Sequence, residues 1–202
     1  MWYPCLVNRL AITATTDAAE GGMDRAGAGV GTTGMWTFLA IDAVGFAGLL
    51  IAYGTLRVRS EVWPDARSRL ALAPAAAVTF ALLLSSLTMT LATRAPSVPA
   101  RRGWLVATLA LGAAFLAGAA IEYAHLLTAA SPMGLTSDLF ASTFYVVTGF
   151  HALHVLAGLI GVGFMLRAKY DAQVVETTAL YWHFVDAAWM PIFSFIYLWP
   201  AR

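Results

Sequence analysis

The chain has 202 residues, of which 60% are hydrophobic and 11% charged, where a soluble domain carries about 45–50% apolar and about 25% charged residues. So few charged groups cannot cover a water-facing surface, which excludes a soluble globular protein. Twelve Lys and Arg against eleven Asp and Glu leave a net charge of +1 and no basic footprint for nucleic acid, and the single cysteine, Cys5, excludes a disulfide framework, a thiolate zinc site or an iron–sulfur cluster built by this chain alone.

Residues 1–33 are small, polar and Gly-rich with no periodicity, and predict a flexible extramembrane arm. No positive region precedes the short apolar patch, so a secretory signal and lipidation at Cys5 are poor readings, and Met23 is an alternative start. Five apolar stretches follow, at about 34–56, 70–93, 104–128, 141–166 and 179–199. Each is long enough to cross a hydrocarbon core, which takes about 20 helical residues. They are rich in Leu, Ala, Val and Phe without two-residue alternation, which favours helices over a barrel. The predicted fold is an all-α bundle of five transmembrane helices spanning 34–202.

Charge does not orient it. With the N-terminus in the cytoplasm, Arg25, Arg94, Arg101, Arg102, Arg167 and Lys169 fall on that side and Arg57, Arg59, Arg67, Arg69 and Arg202 on the other, a tie under the positive-inside rule. Trp36, Trp104 and Trp182 read as one aromatic belt, and Tyr53, Trp63, Tyr197 and Trp199 as the other.

In a chain this poor in charge, the ionisable groups within the spans are informative. They are Asp42, Glu122, His125, His151, His154, His183 and Asp186. Such groups face a bundle interior and find partners. No Lys or Arg lies within the spans, so each acid must be protonated, paired with histidine, or hydrogen-bonded. Helical spacing places His151 and His154 on a stripe that continues into Gly158 and Gly161, and Trp182, Asp186, Trp189 and Phe193 on another, with His183 three residues from Asp186. Gly118, Glu122 and His125 align on the third span, and a Glu122–His151 contact is predicted.

Several chemistries compete for these residues. Glu122-x-x-His125 suggests a di-iron carboxylate site, but that site needs two such motifs and two further glutamates. A bis-histidine haem needs two histidines on facing helices at matched depth. A proton or substrate relay fits intramembrane acids and histidines. The remaining reading is a satisfied polar network in a non-catalytic subunit.

Two long motifs narrow the choice. The segment STFYVVTGFHALHVLAGL at 142–159 supplies Thr143, Phe144, Thr148, Gly149, Phe150, His151, His154, Val155 and Gly158. The segment LYWHFVDAAWMPIFSFIYLW at 180–199 supplies Tyr181, Trp182, His183, Phe184, Val185, Asp186 and Trp189. With Glu122-Tyr123, Ser85-Ser86 and the helix GMWTFLAIDAVGFAGLLIAY, they resemble subunit III of the haem-copper respiratory oxidases, in the short five-helix bacterial form, over residues 34–199. One position departs from the pattern: Asp42 stands where the family usually has Glu, one methylene shorter.

The resemblance implies a non-catalytic subunit of a terminal oxidase in a bacterial plasma membrane, with the N-terminus in the cytoplasm. Haem and copper would reside in subunit I. This chain would contact subunit I, with subunit II and other respiratory subunits nearby. It would hold phospholipid and support proton uptake and durability of subunit I. The candidate polar-network and lipid-contact residues are Asp42, Glu122, Tyr123, His125, His151, His154, Trp182, His183 and Asp186; none is assigned a catalytic or metal-binding role. An accessory subunit of a nitric-oxide reductase and a small proton-coupled transporter are the alternatives. The transporter would require helices broken near the midplane, and Pro191 is the nearest candidate for a break.

Overall fold

A computed structural model describes the backbone of residues 4–61, 63–129, 131–167 and 172–199, and the side chains from residue 31 onward apart from 67, 172 and 173. Cys5, Met23, Arg25, Arg67, Lys169 and Arg202 therefore have no described side chains. The chain divides into two units, Met1–Phe38 and Leu39–Arg202. The helices are α1 (Pro4–Arg59), the single turn α2 (Ala66–Arg69), α3 (Leu72–Thr93), α4 (Val98–Thr128), α5 (Leu139–Arg167) and α6 (Ala172–Phe193), which runs into a π-helical turn at Ser194–Leu198.

The helix boundaries follow local chemistry. Ser97 caps α4, its hydroxyl accepting from the Ala100 N–H at 3.4 Å, and Pro99 occupies the first turn where no intrahelical N–H bond is needed. Asp138 caps α5 by accepting from the Ala141 N–H at 2.8 Å. Both caps follow short polar linkers, which set each helix antiparallel to the one before it.

Within the second unit the register is legible from side-chain bonds. Thr79 and Ser85 of α3 pair with Trp189 and Trp182 of α6. Thr88 of α3 meets Thr108 of α4, and Tyr123 of α4 meets Thr148 of α5. In each case the numbers rise on one helix as they fall on its neighbour, so α3–α4, α4–α5 and α3–α6 are antiparallel. The bundle is inside-out relative to a soluble protein: Ile41, Val44, Ile51, Phe80, Leu153 and Phe164 are exposed, while hydroxyls, an imidazole and a carboxyl lie within. Apolar surface on this scale fits lipid or a protein neighbour.

Four described helices or parts of helices are long and apolar enough to cross a membrane: Gly31–Arg59 of α1, and α3, α4 and α5. The predicted fifth, α6, falls short because Glu176, Thr177, Thr178, His183 and Asp186 dilute its hydropathy. It nevertheless packs within the bundle against α3 and α5, which cover those polar groups. Pro191 lies one turn from the end of α6, and the π turn begins three residues later. Proline donates no backbone bond, so the ladder is weakened there. α3, α4 and α5 are unbroken, unlike the interrupted helices a transporter reading requires.

Two expectations are corrected. The Gly-rich segment before residue 34 has helical backbone from Pro4 rather than an irregular path; extending an established helix is easy once its nucleus exists. The aromatic belts also change. Trp182 is 1% exposed, Tyr53 0% and Tyr197 3%, so these residues fill the interior and do not sit at a membrane interface.

The loop before α5 carries a pH-sensitive tie. Arg69 Nη1 donates to Asp138 Oδ2 across this loop. Burial alone would raise the Asp138 carboxyl, but the Ala141 N–H and Arg69 outweigh it and hold the group below its ordinary value. A folded-state value below the unfolded one adds stability at pH above the ordinary range and loses it as pH falls through the folded value. The thermal midpoint of the wild-type chain should therefore exceed that of Asp138→Asn above about pH 5, with the difference vanishing below about pH 3. Melting curves of both proteins across that range check this.

Candidate functional site

The polar residues of the spans form several separate clusters. The first joins α1 to α5. His154 Nδ1 lies 2.7 Å from the Phe150 carbonyl, which can only accept, so Nδ1 carries a hydrogen. Its Nε2 faces Asp42, 3.2 Å from Oδ1 and 3.1 Å from Oδ2, with both side chains about 15% exposed. One proton thus serves this contact, carried either by the imidazole or by the carboxyl. Asp42 reaches its partner despite its shorter stem, and Phe46 packs beside it with its ring centroid 5.1 Å from that of His154.

The second cluster is an aromatic box around His151, which is fully buried. Its ring stacks on Trp189 at 4.8 Å and meets the edge of Phe115 at 5.5 Å. Neither nitrogen has a hydrogen-bond partner. The predicted Glu122–His151 contact is not formed. Glu122 Oε2 instead accepts from Tyr197 Oη at 2.6 Å, and the neighbouring Tyr123 Oη lies 2.7 Å from Thr148 Oγ1. Two tyrosines on the faces flanking Glu122 capture the polar groups before an imidazole can.

His125 is exposed and lies apart from both clusters. With Gly118 and Glu122 it lines a cavity of about 500 Å³ between α3 and α4, whose wall also includes Arg69, Val78 and Ile121. The alignment on α4 is as the spacing predicts, but the stripe lines a side cavity and not the bundle centre.

Trp182 is the centre of packing. Its indole N–H donates to Ser85 Oγ at 3.0 Å. A Cβ added at Gly112 of α4 would lie 2.7 Å from the ring, and one at Gly158 of α5 2.8 Å from it. No side chain larger than hydrogen fits at either position without displacing the indole. The stripe that continues from His154 into glycine is thus a seat for Trp182.

The last cluster lies between α3 and α6. Ser86 Oγ is 2.6 Å from His183 Nδ1, and Thr90 Oγ1 is 3.4 Å from Nε2. Asp186 is 5% exposed, and neither oxygen has a hydrogen-bond partner by geometry. The predicted neighbours His183 and Asp186 therefore look to α3 and not to each other.

Sequence reasoning missed one buried cation. Arg57 is 5% exposed, its Nη1 donating to Tyr53 Oη at 3.3 Å and its Nη2 to the Trp199 carbonyl at 3.2 Å, with the guanidinium 4.8 Å from the Trp199 ring. Tyr53 and Arg57 are four apart, which places them on one helix face. Aromatic density near that arginine was the available signal.

Among the described residues, no three His, Cys, Asp or Glu side chains converge to hold a metal ion. The histidines are spread over distinct neighbours, an arrangement suited to fixing helix register. Comparison with known proteins agrees. The family described as cytochrome c oxidase subunit III matches residues 33–201. The cytochrome c oxidase subunit 3 of Thermostichus vulcanus is 35% identical over 176 residues, 82% of this chain and 85% of that protein. That of Synechocystis sp. is 37% identical over 177 residues, 82% and 74% of the two chains. The Corynebacterium diphtheriae protein of the same name is 34% identical over 179 residues, 82% and 86%. With the two motif-bearing helices packed against each other and the match covering the whole bundle, the chain belongs to the cytochrome c oxidase subunit III family of the haem-copper oxidases.

Proposed function

We propose that this chain is the non-catalytic companion of a haem-copper subunit I in a bacterial plasma membrane, with its N-terminus in the cytoplasm. Haem and copper reside in subunit I. Subunit II and other respiratory subunits complete the complex, and phospholipid fills the gaps between helices. The chain supports proton uptake and durability of subunit I through the network of Asp42, Glu122, Tyr123, His125, His151, His154, Trp182, His183 and Asp186, with residues 34–202 as the working domain and the preceding segment as an accessory arm.

One observation carries the reading: the interior groups pair with one another while a wide apolar surface stays open. On α1, Ile41 and Val44 are 69% and 73% exposed, and nothing lies within 4 Å of a Cβ built at Gly45 or Gly48. Helices associate in lipid by close packing of such small-residue faces. The names carried by the relatives favour an oxidase over a nitric-oxide reductase.

Gentle detergent extraction through a tag on this chain, followed by mass spectrometry and an absorption spectrum, tests the proposal. A large polytopic companion and a haem spectrum are expected. A preparation with neither would overturn it.

A further inference from the structure

The hydroxyls between α3 and α6 are arranged with a direction. Thr90 donates its hydroxyl proton to the Ser86 carbonyl at 3.1 Å, leaving Thr90 Oγ1 as the acceptor for His183 Nε2. Nε2 therefore carries the imidazole hydrogen, and Nδ1 is bare toward Ser86. At 2.6 Å the Ser86 hydroxyl then donates to Nδ1, which leaves its own lone pairs open. The same Ser86 side chain is the polar neighbour of Asp186, one helical turn from His183 on α6. Asp186 has no donor for either oxygen by geometry, so an ionised carboxylate would stand unsolvated in an apolar bundle, and the group keeps its proton. Broad rotation about the carboxyl torsion is all that closes the joint to Ser86.

We propose that Asp186 is a proton-exchange site, wired through Ser86 and His183 to the α3–α4 end of the bundle. The Asp186 O–H bond breaks as an O–H bond forms on Ser86, whose own hydroxyl proton passes to Nδ1. This leaves a carboxylate and an imidazolium, and conserves charge. The imidazolium releases its Nε2 proton to water on the partly exposed side of His183, beside Thr90, which lies about one helical turn from the end of α3. Return of a proton by the same route restores the acid. The other hydroxyls nearby are engaged elsewhere. Ser85 holds the Trp182 N–H, and Thr88 pairs with Thr108. The inference rests on this local geometry and not on the identity of the neighbouring subunit.

Infrared spectroscopy of the purified complex tests it. One protonated-carboxyl stretch should disappear in Asp186→Asn, and in the wild type that band should shift promptly on transfer to deuterated water. Ser86→Ala and His183→Asn should each slow the shift by about tenfold or more. Thr108→Val, off the route, should leave it unchanged. Haem content and subunit composition report assembly independently, and either break in an assembled complex suffices. The proposal is overturned if no band depends on Asp186, if the wild-type band exchanges slowly, or if Ser86→Ala and His183→Asn exchange as fast as wild type.

Discussion

Trp182→Ala should destabilise the bundle more than any other single truncation, by about 3–5 kcal/mol, the range for emptying a packed aromatic site. The indole is 1% exposed and fills the space above two glycines on different helices. Its hydrogen bond to Ser85 is the lesser part, since interhelical hydrogen bonds in membranes average about 0.6 kcal/mol. Trp182→Phe keeps most of the packing but lacks the N–H, so it should retain more than half of the stability that Ala loses. The complementary change, Gly158→Val, should cost about 1–3 kcal/mol by overpacking. Midpoints of thermal unfolding for the detergent-solubilised protein check all three, and a Gly158→Val midpoint equal to wild type would show that the seat is looser than the distances imply.

The second large effect is expected at Asp42. Asp42→Ala removes one half of a covered pair and leaves His154 Nε2 without a partner. The expected loss is about 2–3 kcal/mol, on the low side for a buried pair because both side chains keep some exposure. Asp42→Asn should lose less than about 1 kcal/mol, because an amide can donate to a bare Nε2 while Nδ1 stays on the Phe150 carbonyl. Combining Asp42→Ala with His154→Ala should cost less than the two single changes added, by about 1 kcal/mol. Additive losses would mean that the two groups act separately. An Asn variant as damaged as the Ala variant would mean that the pair is ionic.

The helical bundle was legible because hydropathy in a chain of low charge has one physical use. The antiparallel order followed from short linkers, and the interior position of Trp182, Asp186 and Trp189 from spacing on one helix. What the sequence could not supply was which of several reachable partners each polar group would take. Glu122 lies at a depth where an imidazole and a phenol both compete, and it takes Tyr197 because of how α6 ends, a feature that no periodic pattern encodes. His183 and Asp186, three apart, are reachable by each other, yet the hydroxyls of α3 are nearer. Arg57 escaped notice because it stands just beyond a span, where an arginine reads as a loop charge. Hydropathy gave α6 less weight than its neighbours because its polar side chains are covered by other helices, and a window average does not register who covers whom.

The π turn at 194–198 has a consequence for how this chain tolerates change in length. A wider turn accommodates one residue more than an α-helical path, and Ile196 and Tyr197, adjacent in sequence, are both buried there. Deleting a single residue within it would rewind the tail into ordinary helix and swing Tyr197 by about 100° around the axis. The phenol would then point away from Glu122, and Trp199 would leave its place over Arg57. The tail of this chain is thus tuned by residue count as much as by residue kind, and a gap there would undo two contacts at opposite sides of one helix in a single step.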